Sequence, residues 1–380
     1  MKFGSRLSSF RNEITSQLRQ IHEELRGLHS SIAQIVYGAE FLAPGFMFAE
    51  LLPVSEQQIK RKAEDLLAEF GPDFASTLTK LHRYSDLLFL DYVRQDGIEL
   101  SERMSLLKLA IQCERMHTPL QELLYRIYQS EFRGLHKDAV ESIRDLYRNA
   151  DLIVLHISCK ARAKNAKASA DTFRDSESRI QNLIVVGHES ENAGTYKVLP
   201  ASDLLVVPAS DAYESLASKT AAAYAFLAFS GIQACVLKVD DDIHCLNANR
   251  LIGEALPLVA SRDYAGRVWH TKYGFSRSWH FDKCQDANLN RRPYGLLADA
   301  SYAEGPDYLL SSRAVQLLGK AAIYFEQLFE IERGYEDLAM GKVLNHYGLF
   351  PVNYDLIKTG ILASTDPFMM ERAGLPPINP

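Results

Sequence analysis

The densest group of chemically useful side chains in the sequence is an acidic triplet, Asp240, Asp241 and Asp242. The triplet ends the apolar run ACVLKV, which predicts a buried strand. Three adjacent carboxylates repel one another, and a bound divalent cation would relieve that repulsion. Carboxylate oxygens suit Mg²⁺ or Mn²⁺, and a cation held by one or two carboxylates takes further ligands from substrate phosphates. The triplet therefore favours a site for a nucleotide diphosphate, the alternative being a solvated acidic turn.

The elements that must position this triplet begin at Asp151. Short apolar, β-branched runs alternate there with helical stretches, and the apolar runs are DLIVLHIS, QNLIVVGHE, DLLVVPASD and ACVLKVDDD. This alternation predicts βα units, a mostly parallel sheet and helices on both of its faces. Ligands of such α/β domains lie beyond the carboxyl ends of the strands, which is where the triplet falls.

The chain before Asp151 has helical periodicity and no chemical motif. Apolar residues recur every three or four positions over about residues 5–36, in a heptad-like seam. Two interpretations stay open: an amphipathic helix that packs on its own domain, or a coiled coil with a second copy of the chain. We expect an all-α accessory or oligomerisation domain over residues 1–149 and an α/β domain over 150–380.

The composition excludes several classes of protein. The chain has 380 residues, 47% of them hydrophobic, and a formal net charge of −6, so it is neither disordered nor a typical binder of nucleic acid polymers. Its five cysteines form no CxxC pair, which favours a reducing cytoplasm. No apolar stretch reaches the ~20 residues of a transmembrane helix. Basic residues near the N-terminus leave peripheral contact with the inner face of a membrane open.

Two patterns around the triplet resemble one known family. The segment DAYESLASKTAAAYAFLAFSGIQACVLKVDDDIHCLN is similar to the central block of the β-1,3-galactosyltransferase/fringe glycosyltransferases, a D-x-Y-x-N-L-x-x-K-T helix followed by a strand ending in K-x-D-D-D. The matching residues are Asp211, Tyr213, Leu216, Lys219, Thr220, Lys238 and the triplet.

The resemblance extends over roughly residues 151–355. GPDYLLSSRAVQLL resembles the family's G-G-G-Y-x-L-S block, and GYEDLAMGKVLNHYGLFPV resembles its E-D-V block. Pro306 and Asp307 replace two of the family's glycines, and Ser215 replaces its asparagine. Because glycine lets backbone approach a sugar closely, we expect a reshaped pocket in a divergent bacterial relative.

The resemblance implies a GT-A fold, with a Rossmann-like sheet that binds a UDP-sugar through Mn²⁺ or Mg²⁺. It implies that Asp242 and Asp240 are metal ligands. It also implies a set of donor-binding residues, namely Asp211, Lys219, Lys238, Asp240 and Asp241. For Asp211 a helix-capping role is an open alternative. Whether His244 or His346 completes the metal shell also stays open, against ordinary structural roles for both.

The inverting mechanism that the resemblance implies needs a general base for the acceptor hydroxyl. Asp337 is the first candidate and Glu336 the second, because both match the family's E-D-V position. Carboxylates at a helix start are also ordinary partners of the helix dipole, and this alternative stays open.

A long loop-like region, RVWHTKYGFSRSWHFDKCQDANLNRRPYGLLADASY, separates the triplet from Gly305. Its aromatic residues could stack on sugar rings and its arginines attract an anionic acceptor, and these are Trp269, Tyr273, Trp279, Phe281, Tyr294, Arg277, Arg291 and Arg292. A single-stranded nucleic-acid groove has a similar composition, but the acidic balance of the chain disfavours it.

These observations predict a metal-dependent, inverting glycosyltransferase that moves a hexose or N-acetylhexosamine from a UDP-sugar to a glycan or lipid-linked glycan. The implied linkage is β-1,3, and the expected setting is bacterial surface-polysaccharide assembly. The alternative is a catalytically inactive transferase-like module whose helices form a scaffold. A phosphoryl-transfer enzyme is disfavoured because the sequence has no P-loop.

Overall fold

The computed structural model describes residues 100, 104, 107, 108, 111, 119–174, 179–188, 195–274, 276–295 and 299–376. The chain divides into two compact units, Met1–Ile127 and Tyr128–Pro380. This division lies upstream of the predicted domain boundary at residue 149, because helical residues from Tyr128 onwards belong to the second unit. The predicted heptad helix over 5–36 lies outside the described residues, as does most of the predicted helical domain.

A mixed, mostly parallel sheet of eight strands forms the centre of the second unit. Its order is β3-β4-β2-β1-β5-β8-β7-β9, and β3 and β8 run antiparallel to the other six strands. The strands are β1 Leu152–Ile157, β2 Ile180–His188, β3 Lys197–Leu199, β4 Leu204–Ser210, β5 Cys235–Asp240, β7 Tyr264–His270, β8 Ser301–Leu310 and β9 Val352–Asn353. A separate two-stranded ribbon pairs β6 Ile243–Cys245 with β10 Leu362–Ser364.

Helices cover the sheet and connect its strands. The α-helices are α1 Pro119–Leu135, α2 Lys137–Tyr147, α3 Ala163–Thr172, α4 Leu216–Ser230, α5 Ala248–Arg250, α6 Leu256–Arg262, α7 Ser312–Tyr324, α8 Glu326–Glu332, α9 Glu336–His346 and α10 Pro367–Ala373. A π-helical turn, Leu251–Ala255, joins α5 to α6. No helix among the described residues is long and apolar enough to cross a membrane.

Helix α4 is the packing centre of the unit. Nearly all of its residues are buried, and its alanines allow α7 to approach closely: a Cβ on Gly319 would lie 2.4 Å from Ala228 Cβ. Its last carbonyls are capped by side chains from the preceding helices, with Gln129 donating to Ala228 O, Arg133 to Phe229 O and Arg144 to Ser230 O. Cationic donors at a helix C-terminus stabilise it through both hydrogen bonds and the helix dipole.

The four apolar runs predicted as strands are confirmed as β1, β2, β4 and β5, and the α/β class is confirmed for this unit. The loop-like interpretation of residues 267–302 is wrong at both ends of that region. Its first residues belong to β7 and its last two to β8, because Trp269 pairs with Tyr302 and His270 with Ser301 in the sheet. The β6–β10 ribbon and α10 carried no sequence signal that predicted them.

Candidate active site

A cleft of about 1220 Å³ opens at the carboxyl ends of β1, β4 and β5. The triplet at the end of β5 lies on its floor, and Gly305 of β8 and Asp337 of α9 line an adjacent wall. Because parallel strands end at the same edge of the sheet, residues more than a hundred positions apart meet here. The structure therefore brings every predicted donor-binding, metal-binding and catalytic residue of the sequence analysis into one cavity.

The three aspartates of the triplet have different surroundings. Asp240 accepts a hydrogen bond from Lys238 at 2.6 Å, yet its side chain is 41% exposed to the cleft. Asp242 accepts at Oδ2 from Ser364 Oγ at 2.7 Å, and its carbonyl accepts from Thr365 N at 3.0 Å. In each of these two carboxylates the second oxygen has no protein donor among the described residues and can face a ligand.

Asp241 has a structural role and connects the triplet to neighbouring elements. It is buried, and its two oxygens bind Ser158 Oγ at 2.8 Å and the Arg162 guanidinium at 2.7 Å. These contacts fasten the end of β5 to the end of β1 and to the turn before α3. Desolvation raises the pKa of Asp241, while Ser158 and Arg162 oppose the rise. The side chain of the predicted donor-binding Asp241 is thus occupied within the protein.

Lys238 connects the triplet to α9. Its amine contacts Asp240 at 2.6 Å, Glu336 Oε1 at 2.7 Å and the carbonyl of Gly305. Burial opposes the charged form, but Asp240 and Glu336 outweigh it, so the pKa of Lys238 lies above its ordinary value. Glu336 is in turn held by Tyr308, whose hydroxyl donates to Oε2 at 3.0 Å. Glu336 is almost fully buried, and both of its oxygens contact Lys238 or Tyr308. Asp337 is therefore the more accessible carboxylate of the two.

Asp337 lies in the first turn of α9, on the wall of the cleft. Its Oδ2 accepts from Gly305 N at 3.0 Å, and its Oδ1 accepts from Leu338 N at 2.8 Å. Desolvation raises the pKa of Asp337 to about 7, and Glu336 adds to the rise. A carboxylate with a pKa near neutrality, in a cavity large enough for a substrate, is suited to take a proton from a hydroxyl group.

Asp211 and Lys219 also line the cleft, but their side chains are hydrogen-bonded to each other and to backbone groups. Asp211 accepts from Lys160 N at 2.6 Å and Gly187 N at 2.7 Å, and its Oδ1 lies 3.3 Å from Lys219 Nζ. The Lys219 amine donates to Ser158 O at 2.6 Å. These bonds cross-link the ends of β1, β2 and β4, so both residues shape the wall of the cleft at these strand ends.

The donor set of the triplet fits a hard divalent cation that has few protein ligands. Asp240 and Asp242 offer carboxylate oxygens, as Mg²⁺ and Mn²⁺ prefer, and the cleft leaves room for phosphate oxygens beside them. Among the described residues, no group of three or more His, Cys, Asp or Glu side chains is arranged to hold a metal by itself. A cation here would therefore take its remaining ligands from water or from a bound diphosphate.

The two histidines whose role in a metal shell stayed open have different positions. His244 follows Asp242 in the β6–β10 ribbon, where burial lowers its pKa and Asp242 opposes that effect. His346 lies at the far end of α9, with its ring against Phe325 and Tyr347. Neither side chain lines the cleft, so the structure does not support either as a ligand in its present position.

The aromatic and basic residues predicted to bind an acceptor divide into two groups. Trp269 and Trp279 line the cleft, and Trp279 is 56% exposed. Tyr294 instead packs against Tyr335 and accepts from Gly334 N at 2.9 Å. Outside the cleft lining are the remaining members, Tyr273, Phe281, Arg277, Arg291 and Arg292.

Several cleft residues were missed by sequence reasoning. Ser158 and Arg162 reach the triplet from the end of β1, and Ser364 reaches it from β10. Phe368 and Arg372 of α10 line the mouth, and Arg372 pairs with Glu304 at 2.7 Å. Arg162 lies in one of the helical stretches predicted between the apolar runs, but the other residues carried no signal because their contacts join distant parts of the chain.

A family model described as Galactosyltransferase matches residues 164–355, which is half of the chain. The match begins within α3 and ends just beyond β9, so it includes the triplet, Gly305 and Asp337. Ser158, Arg162 and the C-terminal contributors Ser364, Phe368 and Arg372 lie outside it. No curated protein matches the chain.

Proposed function

The chain belongs to the galactosyltransferase family, and on that premise we propose that it is a metal-dependent, inverting glycosyltransferase of GT-A type. It moves a hexose or N-acetylhexosamine from a UDP-sugar to a hydroxyl group of a glycan acceptor. The observation that carries this proposal is the meeting, in one cleft, of the half-buried carboxylates of Asp240 and Asp242 with Asp337. The first two suit the cation and diphosphate of a donor, and the third suits a general base.

Asp337 is the proposed base. The acceptor oxygen forms a bond to the anomeric carbon of the sugar while the bond from that carbon to the diphosphate oxygen breaks. The hydroxyl proton passes to the Asp337 carboxylate, and the electron pair of the broken bond leaves with the diphosphate. When bound, a divalent cation would supply charge stabilisation for that leaving group. A single displacement of this kind inverts the anomeric configuration.

The rest of the chain's machinery holds these groups in place. Lys238 offsets part of the negative charge of Asp240 and Glu336, which would otherwise repel the diphosphate and each other more strongly. Asp241 fixes the triplet against β1 through Ser158 and Arg162. The rate of such a displacement depends on positions within a fraction of an ångström. The contacts of Lys238 and Asp241 are therefore needed for catalysis as well as the reacting groups.

A glycan acceptor is supported by the aromatic mouth of the cleft. Trp279 and Phe368 line it and are 56% and 53% exposed, so their ring faces are open to a sugar. We propose a lipid-linked glycan of bacterial surface-polysaccharide assembly as acceptor, at the inner face of the cytoplasmic membrane, and a β-1,3 linkage as in the family the sequence resembles.

The test measures UDP binding with and without Mn²⁺ by calorimetry, together with the thermal unfolding of the protein. A ligand present at 100 times its Kd stabilises the folded state by about 2.7 kcal/mol. We expect UDP and Mn²⁺ together to raise the melting temperature more than either alone. Asp242→Asn, which keeps the side-chain shape, should remove most of that gain.

Asp145→Asn is the matched control, because Asp145 is 74% exposed on α2 and lies outside the cleft. It should bind UDP as the unmodified protein does. Asp337→Asn should abolish sugar transfer and leave UDP–Mn²⁺ binding nearly intact. If UDP with Mn²⁺ at millimolar concentration neither binds nor stabilises the protein, the proposal fails and the inactive scaffold module becomes the better hypothesis.

A further inference from the structure

Lys283 differs from the other cationic side chains that line the cleft. The others are Arg162, Lys219, Lys238, Arg267 and Arg372. Within the described part of the chain, all except Lys283 form an ion pair with a carboxylate. The Lys283 amine instead lies 4.0 Å from the ring centroid of Trp279 and 5.6 Å from that of Tyr213. Aromatic faces steady a cation without neutralising it, so its charge stays available to a ligand.

A buried histidine anchors the segment just before Lys283. His280 is fully buried, and its Nε2 lies 2.7 Å from the carbonyl of Leu289 and 3.0 Å from that of Arg292. Two carbonyl acceptors require a hydrogen on Nε2, which leaves Nδ1 to accept from the Tyr335 hydroxyl at 2.8 Å. The backbone three residues before Lys283 is thereby fixed to the cleft wall.

A carboxylate anchors the segment just after Lys283. The two oxygens of Glu214 accept from Gln285 N and Asp286 N, each at 3.0 Å. Glu214 follows Tyr213 directly, so the turn that carries one aromatic partner of Lys283 also holds the backbone beyond it. Lys283 is therefore positioned from both sides, as a binding residue on a loop needs to be.

Lys283 lines the same cleft as Asp240 and Asp366. Desolvation lowers the pKa of its amine, and the two carboxylates oppose that effect. A diphosphate bound beside Asp240 would therefore share the cleft with the Lys283 amine.

We propose that Lys283 is a phosphate-binding residue, which donates hydrogen bonds to the diphosphate of the nucleotide-sugar donor and stabilises the charge it gains as the sugar leaves. The inference rests on the proposed function and adds a cationic residue to the proposed donor site. A compact ammonium is a common partner of phosphate oxygens. A phosphate carried by the acceptor is the other source of this chemistry, but Lys283 lines the same cleft as Asp240 and its amine lies by the ring of Tyr213, next to the end of β4, which favours the donor.

The test compares Lys283→Gln, Lys283→Arg and Lys272→Gln. Lys272 is a matched control, because its amine also lies over an aromatic ring, 4.9 Å from the centroid of Tyr273, but outside the cleft lining. Affinities for UDP and for uridine are measured by calorimetry in the presence of Mn²⁺, and transfer kinetics are measured for both substrates. A charge-assisted hydrogen bond corresponds to a loss of about 10- to 100-fold on removal.

We expect Lys283→Gln to lower the affinity for UDP by that factor, to lower kcat, and to leave the affinity for uridine unchanged. Lys283→Arg should retain part of the UDP affinity, and Lys272→Gln all of it. Unchanged UDP affinity in Lys283→Gln, alongside normal binding by the unmodified protein, overturns this inference alone. A raised KM for the acceptor only would assign Lys283 to an acceptor phosphate and also overturn it. Failure of the unmodified protein to bind UDP would overturn the proposed function with it.

Discussion

Lys238 and Glu336 form an ion pair of 2.7 Å in which the two side chains are only 1% and 3% exposed. Lys238 is two residues before Asp240, and Glu336 is directly before the proposed base. The pair therefore links the end of β5, where the triplet lies, to the start of α9 through a buried contact. The Tyr308 hydroxyl completes it by donating to the second oxygen of Glu336 at 3.0 Å.

Removing one partner of this pair should destabilise the protein strongly. Lys238→Met leaves the Glu336 carboxylate buried without its cation, which typically costs about 3–5 kcal/mol of the free energy of unfolding. The double variant Lys238→Met/Glu336→Gln has no unpaired buried charge at position 336. Its loss of free energy of unfolding should therefore be smaller than the sum of the losses in the two single variants. Urea unfolding of the four proteins measures the coupling, and strict additivity would show that the two side chains do not stabilise each other.

Gly305→Ala should impair catalysis more than donor binding. A Cβ at this position would lie 3.3 Å from Asp337 Oδ2 and 3.6 Å from its Cγ, so the proposed base must shift. A displacement of a reacting group by a fraction of an ångström to an ångström costs about 10- to 100-fold in rate. Steady-state transfer kinetics should show that loss in kcat, with calorimetric UDP–Mn²⁺ affinity nearly unchanged.

Gly253→Ala is the control for this substitution, because a Cβ there meets nothing within 4 Å. It should leave both kcat and UDP affinity as they are. Full activity of Gly305→Ala would contradict the assignment of Asp337 as the base positioned by the Gly305 backbone.

The raised pKa of Asp337 predicts how the rate depends on pH. A general base acts in its deprotonated form, and its pKa is about 7 because of desolvation and the neighbouring Glu336. The logarithm of kcat/KM should therefore rise with pH below about 7 and level off above it, with about a 30-fold loss at 1.5 pH units below the pKa. UDP affinity measured at each pH separates this effect from donor binding. A rate that is flat between pH 5.5 and 8 would exclude Asp337 as the base.

The sequence predicted those parts of the fold that local pattern determines. The apolar run before Asp240 could be recognised as a buried strand, and its acidic end could be placed at the sheet edge, because both follow from residues adjacent in the chain. The β6–β10 ribbon could not be recognised, because Leu362–Ser364 is three residues long and its pairing with Ile243–Cys245 depends on tertiary packing.

The roles of individual site residues were harder to predict than their location. Asp240, Asp241 and Asp242 are identical in type, yet Asp241 is turned into the protein by Ser158 and Arg162, about eighty residues away. Glu336 and Asp337 are likewise adjacent carboxylates, and only the buried Lys238 and Tyr308 distinguish the structural one from the accessible one. Such distinctions arise from long-range contacts that one sequence does not reveal.

Asp307 should make the stability of the protein fall with rising pH. It occupies a position at which the resembling family has glycine, it is only 6% exposed, and its Oδ1 has no hydrogen-bond partner among the residues that the structure describes. Desolvation and the neighbouring Asp355 raise its pKa to about 7, and Arg267 and Lys238 oppose the rise. The ordinary value is 3.8, so between about pH 4 and pH 7 the folded protein holds this proton more tightly than the unfolded chain does. Its contribution to stability is therefore lost as the pH rises through that interval.

Asp307→Asn keeps the shape of the side chain and removes its charge. At pH 8, where the unmodified protein carries a buried carboxylate, the variant should be more stable by about 1–3 kcal/mol. At pH 5 the carboxyl group is protonated in the folded state and only the unfolded chain has lost the proton, so part of the destabilisation has developed and the two proteins should differ less than at pH 8. Urea unfolding at both pH values measures this, with the exposed Asp145→Asn as the control that should show no such dependence. A difference between Asp307→Asn and the unmodified protein that is equal at pH 5 and pH 8 would mean that Asp307 does not titrate in this range.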